Sequence, residues 1–164
     1  MKAVLLILAA LILLAMITLA VLALHSRSQA PPGRVDGRLP PCPDSPNCVC
    51  SEYPADSAHY VEPLRLPGDL SPASVLDRLG EQVRSLGGTV TTVQPDYLVA
   101  GFRSRVFGFV DDLQLRPDAQ AGVVHVRSAS RVGHSDLGVN RQRVEALRQR
   151  WRQAGGVGRT VAEK

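Results

Sequence analysis

Lysine is nearly absent from this chain of 164 residues: Lys2 and Lys164 are its only two, so 17 of the 19 basic side chains are arginine. Aromatic residues are scarce as well, at 4%. The first shortage makes the net charge of +4 an arginine charge, a bias that reflects genome composition as much as function. The second leaves the core to Val, Leu and Ala. It also removes the stacking platforms that nucleic-acid binders use, and no docking module accompanies the charge, so nucleic acid is not an implied partner. No Gly-rich phosphate loop or dinucleotide fingerprint is present, and no cofactor is implied. Gly133-His134-Ser135-Asp136-Leu137-Gly138 does not match the Gly-x-Ser-x-Gly elbow of a nucleophilic serine. The neighbours His134, Ser135 and Asp136 carry triad residue types, but a triad draws its members from separate segments. There is no internal repeat.

What the chain does have is one long apolar run. Residues 3–24 contain no charge, and Thr18 is their only hydroxyl. Their length suffices to cross a bilayer core as a helix. A cleaved signal peptide is the rival reading, but the run exceeds the usual apolar region of roughly 7–15 residues, and no lipobox cysteine closes it. Either reading exports the rest of the chain. The basic residues flanking the run, Lys2 before it and Arg27, Arg34 and Arg38 after it, taken alone lean toward a cytoplasmic domain. The cysteines lean the other way and weigh more. Cys42, Cys48 and Cys50 lie close together, and paired thiols persist in oxidising compartments. The expectation is a single pass through the inner (cytoplasmic) membrane with a periplasmic domain. Cys42 and Cys48 are read as a disulfide, which leaves Cys50 free or paired with another chain. Zinc is the competing reading if His59 or another histidine completes the set, although Cys-x5-Cys-x-Cys matches no common zinc module. His25, His59, His125 and His134 are otherwise scattered.

These segments set the layout. Residues 1–24 form the anchor or signal peptide, 25–41 a flexible Pro/Gly/Arg linker, 42–154 one folded domain, and 155–164 a flexible tail. Within the domain, residues 60–66 read as a short strand. Ser71 caps a helix with Pro72 at its first position. Val75, Leu76, Leu79, Val83 and Leu86 make its apolar stripe, and Gly87-Gly88 ends it. A strand covers residues 89–93. Period-two alternation then groups Leu98, Ala100, Phe102 and Ser104; Phe109, Asp111, Leu113 and Leu115; and Val124, Val126, Ser128 and Ser130 on one face of three strands. A closing helix over residues 139–153 carries Val144, Leu147 and Trp151. The order β-α-β-β-β-β-α predicts an α+β fold, a curved antiparallel sheet with two helices on one face, preceded by the N-terminal transmembrane helix.

The richest stretch in hydrogen-bonding side chains runs from Arg127 to Arg141, between an apolar strand and an amphipathic helix. A turn centred on Ala119-Gln120 would set Asp111 opposite Ser128 on the helix-covered face and Asp112 opposite Arg127 on the open face. A turn near Val106-Phe107 would set Gly101 opposite Asp112, with Arg103 on the same open face. Ser104, Asp111, Ser128 and Ser130 would then collect at one end of the core, met by Ser135, Asp136 and Asn140 from the start of the last helix. Two readings fit this cluster. In one, Ser135 or Asp136 caps the helix and Asp111 is a buried carboxylate held by Ser128, Arg131 or Arg141. In the other, the cluster is a binding site. Arg103, Arg127, Arg131 and Arg141 would supply charge for an anion, while Ser128, Ser130, Ser135 and Asn140 orient it. The expected function is a non-catalytic binding module for a small anionic ligand, a lipid headgroup or an envelope protein. The alternative is a hydrolase-type enzyme with Asp111 or Asp136 as base. The excess of basic residues after Asn140 fits a solvated helix face, or attraction to anionic headgroups.

Three motifs in combination, Cys42-Pro43-Asp44-Ser45-Pro46-Asn47-Cys48-Val49, Phe107-Gly108-Phe109-Val110-Asp111-Asp112 and Arg127 to Arg141, resemble the domain of unknown function 1499 family. The resemblance covers about residues 42–151. It implies a small bacterial envelope or plant plastid protein, and implies no reaction, substrate or cofactor. That family commonly shows serines just after Cys48-Val49, where this chain has Cys50.

Overall fold

The computed structural model describes residues 1–156. A long helix, α1 (Lys2–Ser28), precedes a six-stranded antiparallel sheet made of β1 (Cys48–Cys50), β2 (Leu64–Arg65), β3 (Thr89–Gln94), β4 (Tyr97–Arg103), β5 (Val110–Asp118) and β6 (Val123–Ser130). Helix α2 (Pro72–Ser85) lies between β2 and β3, and α3 (Val139–Trp151) comes after β6. The sheet runs β1-β6-β5-β4-β3, with β2 pairing farther along the same edge of β6 as β1. This is the expected α+β architecture, and α1 is long and apolar enough to cross a membrane.

Helix α2 starts where its sequence says it should. Ser71 accepts the Ser74 N–H at 3.2 Å, and Pro72 occupies the first turn. Its stripe of Val75, Leu76, Leu79 and Val83 is fully buried. Gly88 is required by close approach, because a Cβ there would lie 2.6 Å from the Phe102 ring and 2.7 Å from Val83. From α3, Val144, Leu147 and Trp151 join the same core, which rests on Leu98, Ala100, Phe102, Leu113, Leu115, Val124 and Val126. Each fully buried Leu or Val contributes about 1.5–3 kcal/mol. Trp151 also donates its indole N–H to the Arg65 carbonyl at 2.9 Å.

Three expectations are corrected. The strand over residues 60–66 contracts to Leu64–Arg65. Pro63 has no N–H to offer a ladder, and arginines from α3 take the backbone carbonyls instead. Arg148 bonds those of Glu62 and Pro63, and Arg141 those of Ala58 and Tyr60. Strand β1 is an addition, since three residues show no period. The β5–β6 register is shifted by two residues, so Asp111 pairs with Ser130 and Asp112 with Ala129. The cause is a longer turn. Asp118 Oδ1 accepts the Gln120 and Ala121 N–H groups, and Gly122 takes a positive φ of 65°. A two-residue shift keeps every side chain on its face. The β4–β5 register has Gly101 opposite Asp112, as expected.

The sheet face away from the helices is covered as well. The segment read as a linker lies along it. Leu39 is fully buried and packs with Cys50, Tyr97 and Val99. Gln114 donates to the Pro32 carbonyl at 2.6 Å, and Arg34 pairs with Asp96. Cys42 and Cys48 form a disulfide, and Cys50 is free and buried. The expected tail lies outside the described residues except for Gly155 and Gly156.

Candidate functional site: the cleft between the first helix and the polar end of the sheet

At one end of the helix-covered face the apolar core gives way to hydrogen bonds. Ser128 and Asn140 are fully buried. The Ser128 hydroxyl donates to Asn140 Oδ1 at 2.7 Å, and Asn140 Nδ2 donates to the Asn47 carbonyl at 2.9 Å and to Ser130 Oγ at 3.1 Å. Arg143 reaches in from α3. It donates to Ser128 Oγ at 3.0 Å and to Asn140 Oδ1, pairs with Asp111 Oδ2 at 2.7 Å, and stacks 4.4 Å from the Phe102 ring centroid. Asp111, Ser128, Ser130 and Asn140 therefore do come together, with Arg143, rather than Arg131 or Arg141, as the cation. Arg143 was missed, although it shares the helical stripe of Asn140, Val144 and Leu147. Asn47 was also missed. Its Nδ2 donates to the Gly133 carbonyl at 2.6 Å, and its carbonyl accepts the Ser130 N–H at 3.0 Å. The disulfide beside it closes the loop that presents it.

The four arginines expected to hold an anion do not converge. Arg103 is exposed at the end of β4. Arg141 is spent on backbone carbonyls. Arg127 is 5% exposed, donates to Gln114 Oε1 at 3.2 Å, and leaves its Nε without a partner among the described residues. Burial pushes its guanidinium pKa down. The expected Asp112–Arg127 pair is replaced by Asp112–Arg131, bidentate at 2.7 and 2.8 Å, because the shifted register puts Ala129 opposite Asp112. Arg131 also binds the carbonyls of Ser26 and Gln29. These lie at the carbonyl end of α1, where a cation satisfies unpaired oxygens and the helix dipole. Ser26 Oγ accepts the Val110 N–H at 2.9 Å, and Arg27 donates to the carbonyls of Phe107 at 2.6 Å and Gly108 at 3.1 Å. Together these bonds clamp the last turn of α1 to β5 and the loop before it.

The clamp creates a cleft of about 370 Å³. Leu19 and Leu22 of α1 form one wall, Val110, Val132 and Val139 continue the apolar lining, and Ser104, Asp111, Ser130, Ser135 and Asp136 supply the polar part. Three of the lining hydroxyls already accept one N–H each. Ser104 accepts from Phe109 at 3.0 Å, Ser130 from Asn140 at 3.1 Å, and Ser135 from Leu137 at 3.3 Å. Among the described residues none of the three has an acceptor for its own proton, so each can donate to an oxygen placed in the cleft. One carboxylate is fully committed and the other in part. Asp136 spends Oδ1 on the Gly138 N–H and Oδ2 on the Asn140 N–H, capping α3. Asp111 pairs with Arg143 through Oδ2 alone. That arrangement suits binding a polar group of low net charge better than proton abstraction.

A serine, histidine and aspartate meet elsewhere. Ser51 Oγ lies 3.2 Å from His125 Nδ1, and His125 Nε2 lies 4.0 Å from Asp118 Oδ2. Ser51 is 4% exposed and its oxygen accepts the Val126 N–H at 2.9 Å, so it faces no substrate space. Burial pushes the His125 pKa down. Near it, Glu52 is fully buried between Arg38 at 2.7 Å and Arg116 at 2.6 Å. Burial alone would raise its carboxyl pKa, but hydrogen bonds from Arg116, Arg38 and the Leu39 amide outweigh that and hold it below the usual value. This is a structural ion-pair network.

No curated protein matches the chain. A family model described as "Protein of unknown function (DUF1499)" matches residues 38–151, from Arg38 of the covering segment through the end of α3. The chain belongs to the DUF1499 family, proteins of unknown function.

Proposed function

We propose that this is a single-pass, membrane-tethered binding module, and that its cleft holds the polar head and first methylenes of a membrane amphiphile. The protein would sit in the inner membrane with its domain on the periplasmic side, where the Cys42–Cys48 disulfide persists. One observation carries the reading. The cleft is walled by Leu19 and Leu22, inside the apolar run, yet floored by Ser104, Ser130 and Ser135. A molecule entering it keeps its chain against hydrocarbon while its head oxygens meet three hydroxyl donors. A lipid headgroup is favoured over a free anion because no unpaired cation lines the cleft among the described residues. Asp136 is spent on capping α3 and Asp111 is ion-paired to Arg143, which favours binding over hydrolysis.

Native mass spectrometry of the full chain, extracted in mild detergent, tests this. The expected spectrum shows an added mass in the lipid range that leaves on denaturation. Val139→Trp and Val132→Trp, which fill the cleft from partly exposed positions, should lack it while keeping their melting temperature. An adduct retained by both variants, or none in the parent, would overturn the proposal.

A further inference from the structure

Beyond residues 1–28, two large apolar side chains are far more exposed than any others among the described residues: Val106 at 83% and Leu137 at 89%. Both sit on loop tips beside the cleft. Val106 lies between Ser104 and Phe109, which line it, and Leu137 between Asp136 and Val139, which also line it. Leu137 holds a left-handed φ of 56°, a region that side-chain-bearing residues enter infrequently. No buried contact accompanies this conformation. Asp136 holds it in place instead, bonding the N–H groups of Gly138 and Asn140 on either side of Val139.

The position of α1 says what faces these tips. Arg27, in its last turn, bonds the Phe107 and Gly108 carbonyls of the first loop. Leu19 and Leu22 share the cleft with both loops. The end of the apolar helix and the two tips therefore lie on one side of the domain. Exposed Arg103 and Arg105 flank Val106, as basic side chains do where apolar groups meet headgroups.

We propose that the β4–β5 and β6–α3 loops seat the domain on the phospholipid bilayer crossed by α1, with Val106 and Leu137 entering its interfacial layer. This rests on reading α1 as a membrane span. It explains why a leucine is kept exposed in a conformation that glycine would adopt more easily. It also brings the mouth of the cleft to the bilayer, so that an amphiphile can enter sideways without crossing water.

The test places one new tryptophan at a time in the full chain, reconstituted into phosphatidylcholine vesicles whose acyl chains carry bromine. The native Trp151 is 2% exposed and packed in the core, so the parent chain sets the background. Leu11→Trp, in the middle of α1, reports on the span itself. Val93→Trp, an exposed position near the opposite end of the sheet, reports on the side away from the bilayer. Seating predicts that Val106→Trp and Leu137→Trp lose most of their added emission to bromines placed near the headgroups, while Val93→Trp loses none. Quenching of Leu11→Trp with none at positions 106 and 137 would overturn the seating and leave the span intact. No quenching of Leu11→Trp by bromines placed near the chain ends would overturn both. Equal quenching of Val93→Trp would overturn the orientation.

Discussion

Asp112 and Leu113 are neighbours in β5, and they point to opposite faces of the sheet into opposite kinds of interior. Leu113 enters a layer of Val, Leu and Ala closed by two amphipathic helices. Asp112 enters a layer of arginines, carboxylates and buried amides closed by the segment that joins α1 to β1. Each layer buries its residue from β5, Leu113 at 0% and Asp112 at 2% exposure. The first coheres by apolar area and needs only the right period. The second coheres because each polar group finds a particular partner, so its stability depends on individual residues.

Breaking one residue on each side sharpens this contrast. Asp112→Ala should have the largest effect, because it strands the Arg131 guanidinium beside the end of α1. Removing one partner of a buried pair costs about 3–5 kcal/mol, read by urea denaturation of the full chain in mild detergent. If the loss matched that of an exposed aspartate such as Asp69, the polar layer would not be the cohesive unit described. Leu113→Ala should cost about 2–5 kcal/mol through the cavity it leaves. It should spare the α1 contacts, so protease sensitivity around residues 26–30 ought to rise for Asp112→Ala and not for Leu113→Ala. Gly88→Ala should come next, at about 1–3 kcal/mol, because the added methyl overlaps Phe102 and Val83.

Acidity should separate the layers as well. A carboxyl whose folded pKa lies below its unfolded value of about 4.3 stabilises the fold above that pH, and the contribution is lost as pH falls through the folded value. Glu52 is such a group. His125, depressed by burial, acts in the same direction from about pH 6.5 downward. The melting temperature should therefore fall on acidification, and Glu52→Gln should flatten the part of that fall below about pH 4.3. An unchanged acid limb in Glu52→Gln would remove this carboxylate from the account. The smallest effect belongs to Arg127→Met. Its guanidinium is buried with an Nε that has no partner among the described residues, and replacing a buried ion with an apolar group of similar volume is often neutral or stabilising. A loss as large as that of Asp112→Ala would show that Arg127 is held by more than Gln114.

The contrast also explains what the sequence disclosed. The helix-covered face was legible: the stripes of α2 and α3, and the alternating faces of β4, β5 and β6, come from periods of 3.6 and 2. So did the gathering of Asp111, Ser128, Ser130 and Asn140, which alternation and the start of α3 place together. The partner of Asp111 was within reach of the helical period, because Arg143 lies beside the stripe of Asn140, Val144 and Leu147 and Arg141 does not. Arg131 looked like a ligand-binding residue because a cation beside small polar residues is what anion sites use. Its true neighbours, the carbonyls of Ser26 and Gln29, lie about a hundred residues away in sequence. Strand β1 and the shifted β6 register escaped because a three-residue strand has no period and an aspartate-stabilised turn can differ by one residue at its centre.

In the proposed function, clamping α1 to the domain creates a cleft for one amphiphile. Titration of the full chain in mild detergent with a fluorescently labelled phosphatidylethanolamine tests it most directly. Saturable binding of one lipid per chain is expected, abolished in Val139→Trp at an unchanged melting temperature. Linear, unsaturable uptake, identical in the parent and in Val139→Trp, would contradict it.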